Sequence, residues 1–111
     1  MIPHNDDMLV SEAFPEFSAE LTNLLAQAGE QQLADSVCAL ELVDRCRCED
    51  DFCGSFYTAP KPHGQWGTPH RNVSLEPKKG MLILDVVEEK ICMIEVLYRD
   101  DFKDTVAALL P

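Results

Sequence analysis

The fold is decided by residues 81–98, MLILDVVEEKICMIEVLY, in which two apolar runs flank Glu88-Glu89-Lys90. Two such runs separated by a short polar segment predict a β-hairpin. If all three polar residues form the loop, one face of the hairpin becomes wholly apolar, whereas a two-residue loop would mix the faces. The pattern therefore favours the three-residue loop. The cross-strand neighbours are then Leu82 with Val96, Leu84 with Ile94, and Val86 with Cys92.

Helical patterns lie on both sides of this hairpin. Apolar residues recur at steps of three and four from Phe14, with Pro15 suited to a first helical turn and Gly29 to a C-terminal cap. A second short helix is expected from Glu30. After the hairpin, Asp100-Asp101 can cap a closing helix. The apolar stripe of that last helix is Phe102, Val106, Leu109 and Leu110.

A second, shorter hairpin precedes the first one. Residues 40–48 and 52–58 have the character of strands, with 49–51 as their turn, and residues 59–72 form a long irregular loop before a short strand at 73–76. The order predicts an α+β fold, with an antiparallel sheet of four or five strands built from two hairpins and packed against two or three helices. We assign residues 1–13 to a flexible arm and residues 14–111 to a single domain.

Charge limits the classes of partner. Twenty acidic and nine basic residues give a net charge of -11, the opposite of the basic surface that binds nucleic acid or anionic membranes. Solubility or a basic protein partner is what such a charge favours. The N-terminal residues lack the pattern of a signal peptide, and five cysteines is an odd number, so we expect a cytoplasmic protein without a disulfide framework.

The main candidate for chemistry is the cluster Cys46, Cys48 and Cys53. With a two- or four-residue loop, Cys48 lies opposite Cys53, and the three thiols converge as zinc ligands, with His63 or His70 completing the set. With a three-residue loop, Cys46 and Cys48 join an apolar face with Phe52 and Phe56, and Cys53 points away. The apolar pairing favours the second arrangement, in which the cysteines are core residues. A reversible Cys48–Cys53 redox pair is a further alternative.

Two other groups are candidate ligand-binding residues. The proline-rich loop holds His63, Trp66, His70 and Arg71, where the tryptophan either anchors a partner or folds back over the sheet. Asp85 and Glu95 fall at diagonal positions on the outer face of the last hairpin. Paired carboxylates can divide acid and base roles, but exposed acids on a solvated sheet face are the default expectation.

That outer face also carries a set of apolar side chains that should not face water. Either helices cover it, or a second copy of the chain does, which would make a homodimer. The set is Met81, Ile83, Val87, Ile91, Met93 and Leu97.

Two segments resemble small bacterial domains of uncharacterised function. Residues 80–101 are similar to a hairpin-plus-helix unit in such domains, and residues 45–58 resemble a signature through Arg45-Cys46-Arg47-Cys48, Asp51-Phe52-Cys53 and Phe56-Tyr57-Thr58. The resemblance implies a bacterial, cytoplasmic origin and no activity.

The sequence contains no assembled catalytic constellation. We therefore expect a non-enzymatic binding or interaction module, with no cofactor, and with zinc binding through the cysteine cluster as the alternative. A weak enzyme with the proline-rich loop as a lid over the outer carboxylates is a third hypothesis.

Overall fold

A computed structural model describes residues 8–48 and 50–111. Within these residues the fold is α+β, as predicted, with a five-stranded antiparallel sheet, a separate two-stranded sheet and four α-helices. In chain order the elements are β1 Met8–Leu9, α1 Val10–Ala13, α2 Pro15–Gln27, α3 Gln31–Ser36, a 3-10 turn Val37–Ala39, β2 Glu41–Leu42, β3 Asp44–Arg45, β4 Phe56–Tyr57, β5 His70–Leu75, β6 Met81–Val87, β7 Lys90–Leu97 and α4 Asp100–Leu109.

The large sheet has the strand order β3-β4-β7-β6-β5. In the last hairpin, β7 is therefore the central strand of the sheet and β6 is its neighbour. The small sheet pairs β1 with β2. Met8–Ala13 thus belong to folded elements, with Val10 fully buried, although the sequence places them in a flexible arm. Residues 1–7 of that arm lie outside the described residues. None of the described helices has the length and apolar character needed to cross a bilayer.

The helices pack on one face of the large sheet. Pro15 begins α2, and Gly29, with a φ of 80°, separates α2 from α3, as the sequence pattern predicts. Phenylalanine rings from α4, β4 and the start of α2 pack together. The ring centroid of Phe102 lies 4.6 Å from those of Phe14 and Phe17 and 5.9 Å from that of Phe56. Beyond the rings, α4 buries Val106, whereas Leu109, predicted in the same stripe, is exposed.

The register of the last hairpin is predicted correctly in its body and wrongly at its turn. Leu82 pairs with Val96 and Leu84 with Ile94, but Val86 faces Ile91 rather than Cys92. The loop is the two-residue turn Glu88-Glu89, and both residues have positive φ, as this tight turn requires. Cys92 is the additional residue of a β-bulge between the two registers. The bulge restores the apolar pairing that a two-residue turn alone would lose.

The outer sheet face is only partly covered. Met81 is 45% exposed, and Ile83, Val87, Met93 and Leu97 are half-buried, whereas Ile91 turns to the helix side and is buried. The assignment of Ile91 to the outer face is therefore wrong, because the bulge shifts its side. A homodimer through this face stays a prediction.

Candidate metal centre

The register of the first hairpin implies a four-residue loop. Asp44 pairs with Tyr57 and Arg45 with Phe56, and the Cys46 N–H donates to the Ser55 carbonyl over 2.9 Å. Continuing this register places Cys48 opposite Cys53 and leaves residues 49–52 as the connection. The predicted three-residue turn is therefore wrong, and so are the long strands predicted at 40–48 and 52–58, since only short segments are paired.

This register brings the three thiols together. The Sγ atoms of Cys46, Cys48 and Cys53 all lie within 4.8 Å of one another, close enough to hold one metal ion. Cys48 is exposed, and the other two cysteines are half-buried. The interpretation as core residues is wrong, because Phe52 does not cover them: it is 38% exposed and stacks on Tyr98 at 5.0 Å.

Backbone contacts with β7 and α4 fix the Cys53 side of the cluster. Cys53 forms a bridge with Leu97, and the N–H of Gly54 donates to the Val96 carbonyl over 2.8 Å. Gly54 packs against α4 so closely that a Cβ there would lie 3.0 Å from the Cα of Lys103. A side chain at this position would require the cysteine-bearing segment or the helix to shift by a few tenths of an ångström, so the close approach favours glycine.

The environment makes the three thiols unequal. Burial raises the pKa of the Cys46 thiol to about 11. Burial also opposes ionisation of Cys53, yet hydrogen bonds from Ser55 and from the other two thiols outweigh it and lower the pKa of Cys53. The Cys53 thiol donates to the Ser55 hydroxyl over 3.2 Å, and this hydroxyl also accepts the Val96 N–H over 3.0 Å. When Cys53 is ionised, the Ser55 hydrogen can turn to its sulfur. A negative charge is thus stabilised more on Cys53 than on Cys46.

A small crevice of about 50 Å³ lies beside the sulfur atoms. Arg45 and Lys103 are among the residues that line it, and the Arg45 guanidinium donates to the Leu110 carbonyl over 2.6 Å. The remaining lining residues are Cys46, Cys48, Cys53, Gly54, Ser55, Val106 and Ala107. The crevice has room for about one water-sized group and none for a large substrate.

The geometry suits a thiophilic ion with little rearrangement. Zinc–sulfur bonds of about 2.3 Å place tetrahedral thiolates about 3.8 Å apart. The present limit of 4.8 Å is about 1 Å longer, a difference that side-chain rotation can close. Soft sulfur donors select zinc or copper(I) over magnesium or calcium.

The two histidines proposed as a fourth ligand do not join this cluster. Among the described residues, the group that meets ligand distances consists of the three cysteines alone. His63 is exposed in the loop after β4. His70 begins β5, at the opposite edge of the sheet from β3, where its Nε2 lies 2.9 Å from Asp85 Oδ1.

A second polar cluster lies on the outer sheet face. Asp85 Oδ1 also accepts a hydrogen bond from the Asn72 amide over 2.8 Å. Asp85 and Glu95 share this face, as predicted, but Asp85 is buried at 6% exposure and not the solvated acid expected. Burial, followed by the charge of Asp85 and a hydrogen bond with it, raises the pKa of Glu95. Trp66 folds back beside His70, with ring centroids 6.5 Å apart.

Arg71 lies apart from this outer cluster. Its guanidinium binds both carboxylate oxygens of Glu30, over 2.8 and 2.9 Å, and both of Glu89 at the hairpin turn, over 3.0 and 2.8 Å. Of the six residues proposed for ligand binding, four come together: Trp66, His70, Asp85 and Glu95. Arg71 has a structural role that ties the start of α3 to the β6–β7 turn, and His63 is exposed elsewhere in the loop.

Sequence reasoning missed Ser55 and Asn72. Ser55 lies two residues after Cys53, on the same side of its strand, and this spacing was a usable signal. Asn72 was assigned to an irregular loop, although β5 begins at His70, and only the strand places its amide beside Asp85.

Comparison of the chain with protein-family models, curated proteins and solved structures finds no match.

Proposed function

We propose that this protein binds one zinc ion through Cys46, Cys48 and Cys53. The observation that carries the proposal is the convergence of three sulfur atoms within 4.8 Å of one another. Cys46 and Cys48 follow β3 on one side of the hairpin, and Cys53 precedes β4 on the other side. A metal held there would therefore link the two sides of the hairpin next to its loop.

The surroundings of the sulfur atoms favour binding. Metal binding requires deprotonated thiols, and the Ser55 hydroxyl beside Cys53 stabilises negative charge on its sulfur. The small crevice suits a water molecule or another compact donor as a fourth ligand. A site of this kind contributes to folding, because the unfolded chain does not hold the three thiols together.

Native mass spectrometry of reduced protein, purified without chelator, tests the proposal. We expect one zinc per chain in the wild type and its loss in Cys53→Ser. The matched controls are Cys92→Ser, which changes a cysteine outside the cluster, and His63→Ala, which changes a loop histidine; both should keep the metal. Less than about half an equivalent of zinc in the reduced wild type would contradict the proposal.

We also propose, as a second function, association with a basic protein partner. The net charge of -11 supports it. Three arginines already form ion pairs with acidic side chains, so their positive charge offsets little of the charge of the other acidic residues. The pairs are Arg47 with Asp44, Arg71 with Glu30 and Glu89, and Arg99 with Glu20. Association rates with a basic probe protein should fall steeply as salt rises. Rates that do not change between low and high salt would contradict this function.

A further inference from the structure

The backbone around the three cysteines distinguishes one pair from the other two. A disulfide needs Cα atoms about 4.4–6.8 Å apart, most often about 5.5–6 Å. Residues directly opposite in an antiparallel pair have Cα atoms about 4.5–5.5 Å apart. Cys48 is opposite Cys53 when the register seen at Arg45–Phe56 and at the Cys46–Ser55 hydrogen bond is continued by two residues. This pair alone lies well inside the range that a disulfide requires.

The other two pairings are less suitable. Cys46 and Cys48 are two positions apart on one extended segment, which gives a Cα separation of about 6.6 Å, near the upper limit. Cys46 and Cys53 are diagonal neighbours, and diagonal positions lie about 7–8 Å apart. The Cys46–Cys53 pairing would therefore require the backbone to move, and the Cys46–Cys48 pairing lies at the edge of the allowed range, even though all three sulfur atoms are near one another.

An oxidant can also reach the favoured pair. Cys48 is exposed and Cys53 is half-buried at the edge of the small crevice. We infer that a hydroperoxide oxidises Cys48 and Cys53 to a disulfide in the metal-free protein, so that zinc and oxidant compete for the same two thiols. The disulfide follows from the register; the competition rests on the proposed zinc binding.

The chemistry balances in two steps. One thiol sulfur attacks the peroxide O–O bond, which breaks; the sulfur becomes a sulfenic acid, and the hydroperoxide is reduced to an alcohol, or to water for hydrogen peroxide. The second thiol then attacks the sulfenic sulfur, the S–S bond forms, and the sulfenic oxygen leaves as water with the thiol hydrogen. Two thiols lose two hydrogen atoms in total, and a thiol reductant reverses the reaction.

The disulfide would remove two of the three zinc ligands at once. Cys46 would remain as a single thiol, too few ligands to hold the ion against water. The cluster would thus act as a switch between a metal-bound reduced state and a metal-free oxidised state.

Peptide mapping after peroxide treatment tests this inference. The protein is reduced, stripped of metal with a chelator, treated with one equivalent of hydrogen peroxide, digested without reductant and analysed by mass spectrometry. We expect a linked species, lighter by two hydrogen atoms, that joins Cys48 to Cys53. Cys46→Ser and Cys92→Ser should form the same link, whereas Cys48→Ser should leave a sulfenic acid on Cys53 that dimedone traps.

The outcomes separate the inference from the zinc proposal. A link that involves Cys46, or no link in protein shown to be folded by circular dichroism, overturns the inference even if one zinc binds. Preloading with zinc should slow formation of the link at least several-fold; equal rates with and without bound zinc overturn the competition. A Cys48–Cys53 link in protein that binds no zinc supports the disulfide and overturns the zinc proposal instead.

Discussion

Cys48 lies opposite Cys53 at the loop end of the first hairpin, and this relationship creates the cysteine cluster. It follows from the pairing of Arg45 with Phe56 three residues away, because continuing this register brings Cys48 opposite Cys53. With one residue fewer in the loop, Cys53 would point to the other side of the sheet. The site therefore depends on register more than on the number of cysteines.

Ser55 is expected to support the fold as well as the site. Its buried hydroxyl accepts the Val96 N–H over 3.0 Å, so Ser55→Ala leaves a buried donor without its partner. Such a loss costs about 1–3 kcal/mol of unfolding free energy. Urea unfolding of metal-free protein measures it, with the exposed Ser74→Ala as the matched control. Equal stability of the two variants would contradict this role.

Arg71 should make stability depend on pH. Its hydrogen bonds and charge lower the pKa of Glu30 and of Glu89, so both carboxylates stay ionised in the folded state at lower pH than in the unfolded chain. Their contribution is complete above about pH 4.5 and is lost as pH falls through their lowered pKa values. We expect Arg71→Gln to destabilise the protein slightly at pH 7.

The effect of this substitution should nearly vanish under acidic conditions, because protonated glutamates no longer pair with the arginine. Thermal unfolding of both proteins at pH 7 and below pH 4 gives the comparison. A difference between wild type and variant that is the same at both pH values would show that the arginine acts through packing alone.

Glu95 should show the opposite pH dependence. Burial and the neighbouring Asp85 raise its pKa, so between the ordinary value of 4.5 and the raised value the folded state binds more protons than the unfolded state. Stability therefore falls as pH rises through that window. Glu95→Gln removes the charge and keeps a donor for Asp85, and it should raise the melting temperature at pH 7.

The exposed Glu88→Gln is the matched control for Glu95→Gln, since it removes one negative charge without a change in burial. A gain that the control reproduces would point to overall charge rather than to the outer carboxylate pair. No gain in Glu95→Gln would mean that the ionised side chain is well solvated.

Gly80 is expected to tolerate no side chain. It has a φ of 73°, and an added Cβ would collide with the backbone carbonyl oxygen of Leu97. Gly29 has a similar φ of 80° but open space around it, so Gly29→Ala isolates the backbone strain, about 1–2 kcal/mol. Gly80→Ala should lose clearly more in urea unfolding. Equal losses in the two variants would show that the collision is relieved without energetic consequence.

The sequence predicts the body of the last hairpin because both strands alternate against one buried face. It could not show the turn, since a two-residue loop with a bulge at Cys92 leaves the same alternation as a three-residue loop. Both arrangements pair Leu82 with Val96. Local pattern alone does not distinguish them.

The cysteine site was misassigned for a different reason. Phe52 was given to the same apolar face as the cysteines, but it stacks on Tyr98 from β7's end, a contact 46 positions away in the chain. Asp85 was likewise expected in solvent because its partners His70 and Asn72 belong to the first part of β5, which the sequence pattern assigned to the loop before the predicted strand at 73–76. Contacts between distant segments decide both cases.

The most direct test of the central claim is a cobalt(II) titration of the reduced protein, followed by absorbance. Cobalt substitutes for zinc, and thiolate ligation gives an intense sulfur-to-metal charge-transfer band. We predict saturation at one equivalent, a weaker band in Cys53→Ser, an unchanged band in Cys92→Ser, and displacement by zinc. Absence of the thiolate band in the reduced wild type, or an unchanged band in Cys53→Ser, would contradict the claim that Cys46, Cys48 and Cys53 bind metal.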